Sequence, residues 1–213
     1  AQFHEWMTGG GLLYLKEHQP QVGTAFTTHA TVIGRSLAGN NLPLYSKMSS
    51  YDGDEKAVEF NLVAKQSIEK VAAHVADAYT TVSELTSLEC AQFHGKEVDV
   101  VTPNGFDDSF APSVKDFDDK RKAARKKLLQ VASKVIGEDL DDDTVLMASS
   151  GRYEFRNKGI DIFLDSLGEL NKNKSCTKSA VAFLLIPAHH YGARKDLKEA
   201  LKGGGDGLKG NKF

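Results

Sequence analysis

Residues 62–93, with the sequence LVAKQSIEKVAAHVADAYTTVSELTSLECAQF, place a strand between two helices. The β-branched run Ala78–Val82 predicts the strand. Ser83 is suited to cap a helix over Glu84–Phe93, because its hydroxyl can accept a hydrogen bond from a free backbone N–H. The preceding segment, Leu62–Ala76, predicts a helix with one apolar face. The expected buried stripe of that helix is Ile68, Val71, Ala72 and Val75.

A similar alternation of short β-branched runs and helical patterns extends along the rest of the chain. Strands that are separated by helices imply parallel pairing through right-handed crossovers. The predicted fold class is therefore α/β with parallel sheets. The other predicted strands are Thr24–His29, Val98–Thr102, Thr144–Ser149 and Ala180–Ile186, and the other predicted helices are Asp116–Ile136, Ile160–Leu170 and Arg194–Lys202.

The longest predicted helix, Asp116–Ile136, carries the basic run KRKAARKK at residues 120–127. The start of this helix is acidic and complements the helix dipole, so the basic run is expected to be a solvated face rather than a nucleic-acid-binding segment. Gly137 is the expected end of the helix. The expected buried stripe is Ala124, Leu128, Val131 and Val135.

A domain boundary is expected within residues 106–114, which show no periodicity and include Pro112. Residues 1–106 then form the first domain and residues 107–213 the second. About three strands are predicted before the boundary and about two after it, fewer than the five to six strands of an average sheet. Each half is therefore expected to be part of a larger sheet with unpaired edges. The Gly- and Lys-rich tail, residues 203–213, is predicted to fray.

The composition excludes several function classes. The chain has 213 residues with 27 basic and 29 acidic side chains, and its net charge of −2 argues against a general nucleic-acid-binding protein. No apolar run reaches the roughly 20 residues that span a bilayer, so no membrane partner is expected. The first residues, AQFHEW, lack the pattern of a secretory signal. Cys90 and Cys176 are far apart, which favours a reducing, cytoplasmic location.

Ligands of open parallel sheets bind beyond the carboxyl ends of the strands, so the residues that follow each predicted strand are candidate site residues. His29 ends the first predicted strand and Arg35 follows it, while Asn104 lies in the turn after the third. His29 could contact a sugar, and the alternative is a core histidine that is hydrogen-bonded to the backbone. Glu5 and Trp6 could bind a carbohydrate through a carboxylate–hydroxyl bond and ring stacking.

The segment after the fourth predicted strand, Gly151–Gly159 (GRYEFRNKG), leads directly into a predicted helix. Arg152 and Lys158 flank this segment, and a helix N-terminus attracts anions through its free N–H groups and its dipole. Arg offers a planar fork to phosphate oxygens and Lys a movable point charge, which suits a diphosphate. The alternative interpretation is an exposed loop with solvated charges.

No metal site is expected. Asp52-Gly53-Asp54 and Asp141–Asp143 fall in polar connections, and both are interpreted as surface loops because no His or third acid stands at ligand spacing. His189-His190 follows a strand without a partner motif.

Several motifs occur in a particular order along the chain: His4-Glu5-Trp6, Phe26–Thr31 with Gly34-Arg35, Glu69–His74, Thr80–Ser83, Pro103-Asn104-Gly105, Gly151–Gly159 and Val181–Phe183. In this order they resemble the glycogen synthases of the fungal and animal type and the related bacterial glycogen and starch synthases. The resemblance covers nearly the whole chain. The stretches 27–35 and 151–159 are specific to this family, whereas Pro-Asn-Gly is shared by many glycosyltransferases.

The resemblance implies a GT-B architecture, in which two Rossmann-like domains face each other across a cleft that binds a sugar nucleotide. Residues 1–106 would be the C-terminal part of the acceptor-side domain, and residues 107–213 the N-terminal part of the nucleotide-sugar-binding domain. The implied reaction is retaining, metal-independent and cofactor-free transfer of glucose from UDP-glucose, or ADP-glucose, to the non-reducing end of an α-1,4-glucan by a cytoplasmic homo-oligomer. The implied catalytic residues are His29, Arg152 and Lys158, the donor-binding residues are Arg35, Asn104, Arg152 and Lys158, and the acceptor-side residues are Glu5 and Trp6.

The resemblance also implies that a Gly-rich donor loop precedes Ala1 and that an acidic motif follows Phe213. We therefore expect the 213 residues alone to have little transfer activity. Two other functions stay open. One is a different retaining sugar-nucleotide transferase, which makes sucrose, trehalose or a glycolipid. The other is a non-catalytic module that binds a sugar nucleotide or a glucan.

Overall fold

The computed structural model describes residues 1–203 and Leu208. The tail that is predicted to fray therefore lies almost entirely outside the described residues. Residue contacts divide the chain into two units, Ala1–Phe106 and Asp107–Phe213. Each unit combines helices with parallel strands, which confirms the predicted α/β class. No helix among the described residues is long and apolar enough to cross a membrane.

The first unit is built around one parallel sheet. Its strands are β1 (Gln2–His4), β2 (Ala25–Thr28), β3 (Ala78–Thr81) and β4 (Val100–Val101), and its helices are α1 (Glu5–His18), α2 (Val32–Gly39), α3 (Gly53–Glu59), α4 (Val63–Val75) and α5 (Glu84–His94), with a short 3-10 helix at Tyr45–Ser50. Within residues 1–106 the strands run in the spatial order β1-β2-β3-β4. Phe26 of β2 lies between Phe3 and Tyr79 of the neighbouring strands, so the centre of the sheet is apolar.

β1, α1, α2 and α3 lie outside the predicted elements. The three consecutive glycines of α1, Gly9–Gly11, each disfavour a helix by about 1 kcal/mol relative to Ala. At Gly9 the reason for glycine is the close approach of α1 to α4, because a Cβ there would lie 2.4 Å from Cγ2 of Ile68. Packing between two helices therefore outweighs local helix propensity at this position.

The predicted stripe of α4 is wrong in part. Ala72 is buried as expected, but Val71 and Val75 are exposed by 45% and 38%. The buried face instead includes Gln66 and Glu69, whose polar groups bond to other parts of the first unit. Hydrogen bonds make it possible to bury such side chains, so the helix is rotated away from its purely apolar stripe.

Three helix starts in the first unit are set by side-chain caps, those of α2, α3 and α5. Ser83 caps α5 as predicted, since its Oγ accepts a hydrogen bond from the Thr86 N–H at 3.1 Å. Asp52 caps α3 and accepts from the N–H groups of Asp54 and Glu55 at 2.9 and 2.8 Å. The interpretation of the segment around Asp52 as a surface loop is therefore wrong, because its acidic residues begin a helix.

The described part of the second unit contains a pair of parallel strands. The elements are α6 (Phe117–Ile136), β5 (Val145–Ser150), α7 (Ile160–Lys172), β6 (Ala180–Leu185) and α8 (Lys195–Leu201), with a short 3-10 helix at Asp108–Phe110. β5 and β6 pair in register from Val145 opposite Ala180 to Ser150 opposite Leu185. Gly137 ends α6 as predicted, with a left-handed φ of +73° that favours glycine.

The buried face of α6 differs from the predicted stripe. Leu129 and Ala132 are buried. Arg125, one turn before Leu129, donates a hydrogen bond to the backbone carbonyl of Asp142 at 2.6 Å. The guanidinium thereby joins α6 to the segment that enters β5, and this polar contact turns the helix. Two members of the predicted stripe are 38% and 40% exposed instead: Leu128 and Val135.

Candidate functional site

The carboxyl ends of β1 and β2 bring predicted site residues together in the first unit. His4 lies opposite Thr27 in the register of the two strands. Nδ1 of His4 and Nε2 of His29 are 2.9 Å apart, and the ring centroids are 5.1 Å apart. One nitrogen must carry the hydrogen and the other must accept it, so each ring fixes the tautomer of the other. His29 is half-buried and this partner is a side chain, unlike the backbone partner of the alternative interpretation.

Glu5 lies at the junction between β1 and α1 in a left-handed conformation with φ of +55°. A non-glycine residue in this region stores strain on the order of 1–3 kcal/mol, and such strain clusters at functional sites. Glu5 is only 8% exposed, and its Oε1 accepts a hydrogen bond from Nη2 of Arg35 at 2.6 Å. The ion pair joins the end of β1 to α2 and brings two predicted site residues into contact.

Trp6 follows Glu5 and is half-buried. The Nζ atom of Lys65 lies 4.6 Å from the centroid of the Trp6 ring, which is a cation–π contact. One face of the indole is therefore covered by the ammonium group. A sugar that stacks on Trp6 must use the opposite face or displace Lys65.

The β2–α2 turn, which is the segment from the end of β2 through the first turn of α2 (residues 28–35), carries His29 and Arg35 and is closely packed. Thr31 caps α2, because its Oγ1 accepts a hydrogen bond from the Gly34 N–H at 2.9 Å. A Cβ at Gly34 would lie 2.2 Å from Oε2 of the buried Glu89. Glycine is therefore required at this position by close approach to a carboxylate, and the turn has little room to move.

The second unit presents Arg152 and Lys158 on the loop between β5 and α7. The loop begins at Gly151 with φ of +154° and ends at Gly159 with φ of +64°, so glycine conformations bound it on both sides. The side chain of Lys158 passes over Gly151, with Cδ 3.7 Å from the position of a Cβ there. Arg152 Nε lies 2.8 Å from Oε1 of Glu154, and the Arg152 side chain is 65% exposed. The loop is thus exposed, and its guanidinium has an internal counter-ion.

The N-terminus of α7 is less open to an anion than the sequence suggests. The N–H groups of Ile160 and Asp161 both donate to the carbonyl of Phe155, at 3.0 and 3.3 Å. The expectation of free N–H groups at this helix start is therefore wrong for these two positions, because the loop folds back on itself. Arg152 and Lys158 remain the groups of this loop that could bind a diphosphate.

The predicted site residues therefore fall into two groups, one on each unit. Asn104 is exposed three residues beyond β4 and lies outside regular structure.

Across residues 1–203 and Leu208 no cluster of three or more His, Cys, Asp or Glu side chains could hold a metal ion.

Comparison with known proteins identifies the family. A family model described as glycogen synthase matches residues 1–204. The chain belongs to the glycogen synthase family. The liver glycogen [starch] synthase of Mus musculus is 36% identical over 194 residues, which cover 88% of this chain and 28% of the relative. The glycogen [starch] synthases of Caenorhabditis elegans and Neurospora crassa are each 35% identical, over 88% and 95% of this chain and 30% and 29% of the relatives.

This member of the glycogen synthase family spans less than a third of the length of these curated relatives. The resemblance that the motifs predict is confirmed for the family. The roles of individual residues stay predictions, since they rest on position in the motifs.

The sequence analysis missed the groups that hold the predicted site residues in place. They are His4 against His29, Glu154 against Arg152, and the buried carboxylates of Glu69 and Glu89. A usable signal was present for Glu69, which lies one helical turn before Ala72 and therefore falls on the buried side of α4. A charged residue at such a position needs a specific partner.

Proposed function

We propose that this chain is part of a retaining glycosyltransferase that moves glucose from UDP-glucose to the non-reducing end of an α-1,4-glucan. Membership of the glycogen synthase family over residues 1–204 supports the reaction class. The observation that carries the proposal is the exposed loop between β5 and α7, which contains both Arg152 and Lys158 and follows the carboxyl end of β5. Ligands of open parallel sheets bind at that end of the strands.

The two cations of the loop suit a departing diphosphate. Glucosyl transfer builds negative charge on the leaving group as the glycosidic bond breaks. Arg152 can offer two parallel N–H donors to phosphate oxygens, and Lys158 adds a point charge. Because the charge is greater in the transition state than in the bound donor, these groups accelerate the reaction rather than only bind the substrate. The contact of Arg152 with Glu154 uses Nε, and the guanidinium carries further N–H donors on its two Nη atoms for phosphate oxygens.

We extend the proposal to metal-independent transfer, because two cations on one loop can supply the charge neutralisation that a divalent ion would otherwise give. The expected result is a transfer rate that is unchanged by EDTA. A cytoplasmic location and homo-oligomeric assembly of the full-length protein are further parts of the proposal that follow from the family resemblance.

We assign binding of the sugar to residues of the first unit. The His4–His29 pair offers a polar edge with a defined tautomer, which suits a hexose hydroxyl. We assign Arg35 to binding of the donor, and Glu5 and Trp6 to binding of the acceptor. The Glu5–Arg35 ion pair couples these two assignments, because a movement of either side chain disturbs the other. Asn104 is assigned to the donor sugar on its motif alone.

The proposal is tested by calorimetric titration of UDP into the 213-residue chain. Arg152→Ala and Lys158→Ala should each weaken binding roughly 10- to 100-fold, since hydrogen bonds to charged groups contribute about 1.5–3 kcal/mol. Arg156→Ala removes an exposed charge of the same loop as a matched control and should change affinity by less than about twofold. Equal affinities for the wild type, Arg152→Ala and Lys158→Ala would contradict the assignment of this loop.

Two other functions make different predictions in transfer assays. A transferase that forms sucrose, trehalose or a glycolipid would use fructose, glucose or a lipid as acceptor in place of glycogen. A non-catalytic module would bind UDP or glucan in any longer form of the protein without transferring glucose. The 213 residues alone are expected to transfer little labelled glucose to glycogen, and rapid turnover by them would refute the view that they are one part of the enzyme.

A further inference from the structure

Two carboxylates are buried beneath the turn that joins β2 to α2. Glu69 of α4 is 1% exposed and Glu89 of α5 is 4% exposed. A buried carboxylate is costly unless it is fully paired by hydrogen bonds or cations. Both side chains reach the same short turn, residues 28–35, from two different helices. That turn carries His29 and Arg35, the predicted site residues of the first unit.

Glu89 fixes the residue that caps α2. Its Oε2 accepts a hydrogen bond from Oγ1 of Thr31 at 2.9 Å, while Thr31 in turn accepts the Gly34 N–H. Its Oε1 accepts from the Tyr45 hydroxyl at 2.9 Å. Burial and the neighbouring Glu89 raise the pKa of Tyr45 to about 12, so the phenol keeps its proton and remains a donor. Glu89 therefore orients the hydroxyl of Thr31 that caps α2, and this cap sets the residue at which α2 begins.

Glu69 fixes the backbone one residue further along, at the first residue of α2. Its Oε2 accepts a hydrogen bond from the Val32 N–H at 3.0 Å and lies 3.2 Å from Nε2 of His94. Nδ1 of His94 is 2.6 Å from the hydroxyl of Tyr79. A hydrogen on Nε2 satisfies both contacts, with His94 donating to Glu69 and accepting from Tyr79.

Tyr79 extends this chain of contacts back to the end of β2. Its hydroxyl lies 3.3 Å from Oγ1 of Thr28, and burial raises the pKa of Tyr79 above its usual range. The backbone carbonyl of Thr28 also accepts a hydrogen bond from Thr81 at 2.6 Å. Contacts to buried partners therefore hold the turn at Thr28 before His29, and at Thr31 and Val32 after it.

We propose that Glu69 and Glu89 are positioning residues, which hold the β2–α2 turn so that His29 meets His4 and Arg35 meets Glu5. The assignment rests on the proposed function only in so far as His29 and Arg35 act on substrate. The two carboxylates themselves bond to the protein groups of Thr31, Tyr45, Val32 and His94.

Asp77 provides a comparison at the other end of the sheet, with a carboxylate that is 53% exposed. It accepts hydrogen bonds from the N–H and the hydroxyl of Thr24, at 2.8 and 2.9 Å, and pairs with Lys16 at 2.6 Å. Like Glu69 and Glu89, it links two segments of the first unit through hydrogen bonds to one carboxylate. Asp77 lies at the amino ends of β2 and β3, so its removal should weaken the same unit without reaching the turn.

The experiment compares Glu69→Ala, Glu89→Ala and Asp77→Ala in the 213-residue chain by NMR. Amide hydrogen exchange at Val32 and Gly34 should become roughly 10- to 100-fold faster in both Glu variants, beyond any change at Phe26 and Tyr79, because a hydrogen bond to a charged group is lost. The ¹⁵N shifts of the His29 ring, which report its hydrogen bond to His4, should change in both Glu variants. In Asp77→Ala, amide exchange at Val32 and Gly34 should change no more than exchange elsewhere in the first unit. The ¹⁵N shifts of the His29 ring should match those of the wild type.

Conservative variants keep the experiment decisive if an alanine variant does not fold. Glu69→Gln and Glu89→Gln retain one acceptor oxygen and should restore most of the exchange protection and the His29 signal. A uniform loss of protection across the first unit, the same as in Asp77→Ala, would overturn the assignment, as would an unchanged His29 signal. UDP titration of the Arg152 and Lys158 variants tests the proposed function separately, so failure of one proposal is distinguishable from failure of the other.

Discussion

The turn after β2 and the loop after β5 occupy the same place in their sheets but are held in different ways. Thr31 and Gly34 of the turn bond to each other above a buried carboxylate, and the start of α2 is fixed by the core. Arg152 of the loop is 65% exposed, and its counter-ion Glu154 lies on the same loop. The first segment is organised before any ligand arrives, whereas the second keeps its charges accessible to one.

The largest effect is expected from the exposed loop. Arg152→Ala should lower the turnover of glucosyl transfer, in a polypeptide that contains this segment, on the order of 10²- to 10³-fold, because loss of one transition-state donor has this magnitude. The change in KM should be smaller, since the lost interaction strengthens as the bond breaks. Initial rates with labelled UDP-glucose measure both constants. If Arg156→Ala lowers turnover equally, general charge on the loop is responsible and not the position of Arg152.

The next effect tests the packed turn. Gly34→Ala should lower the free energy of unfolding of the 213-residue chain by about 1–3 kcal/mol, because the added methyl group meets Glu89 in a full core. Gly10→Ala is the matched control in α1, where nothing lies within 4 Å of the new Cβ, and it should raise stability by about 0.5–1 kcal/mol. Denaturant unfolding measures both, and a stabilising Gly34→Ala would show that the turn is not tightly packed.

A pH experiment tests how the Asp77 carboxylate, at the amino end of the first sheet, stabilises the fold. Hydrogen bonds from Lys16 and Thr24 lower the pKa of Asp77 from 3.8 to about 2. Because the folded-state pKa is depressed, the stabilisation by Asp77 is present above about pH 4 and is lost as the pH falls toward 2. Asp77→Asn should therefore flatten the fall in stability between these two pH values. Denaturant midpoints measured at several pH values test this, and parallel pH profiles for wild type and variant would contradict it.

The smallest effect concerns the internal counter-ion of the loop. Glu154→Gln should free Arg152 and tighten UDP binding by a few-fold at most, because exposed ion pairs contribute about 0.2–1 kcal/mol. The gain should shrink as salt is added, since salt screens exposed charges. Titration at low and high ionic strength measures it. Weaker binding by Glu154→Gln would mean that Glu154 orients Arg152 rather than competes for it.

Local patterns in the sequence predicted most of the regular structure. The β-branched run before Ser83, the Ser83 cap and the Gly137 end of α6 depend on nearby residues, and all three are present in the structure. Helix α1, which was not predicted, depends on a distant partner. The Gly9 contact with Ile68 explains α1 but involves residues 59 positions apart in sequence, and local propensity opposes it.

The candidate site residues also differ in whether local sequence or distant contacts determine them. Arg152 and Lys158 could be proposed from one loop, because their spacing and the following helix are local features. The contact of Glu5 with Arg35 and that of His4 with His29 depend on parallel pairing of β1 with β2, and β1 was not predicted. The burial of Glu69 had a sequence signal in its spacing from Ala72, but its partners and those of Glu89 lie on other elements and could not be predicted.

The Glu5–Arg35 contact has a further consequence for the electric field around the first unit. A carboxylate and a guanidinium 2.6 Å apart cancel most of each other's field at a distance. The pair therefore adds almost no net charge next to His4. Under the proposed function, long-range attraction for an anionic ligand is left to exposed cations such as Arg152 and Lys158.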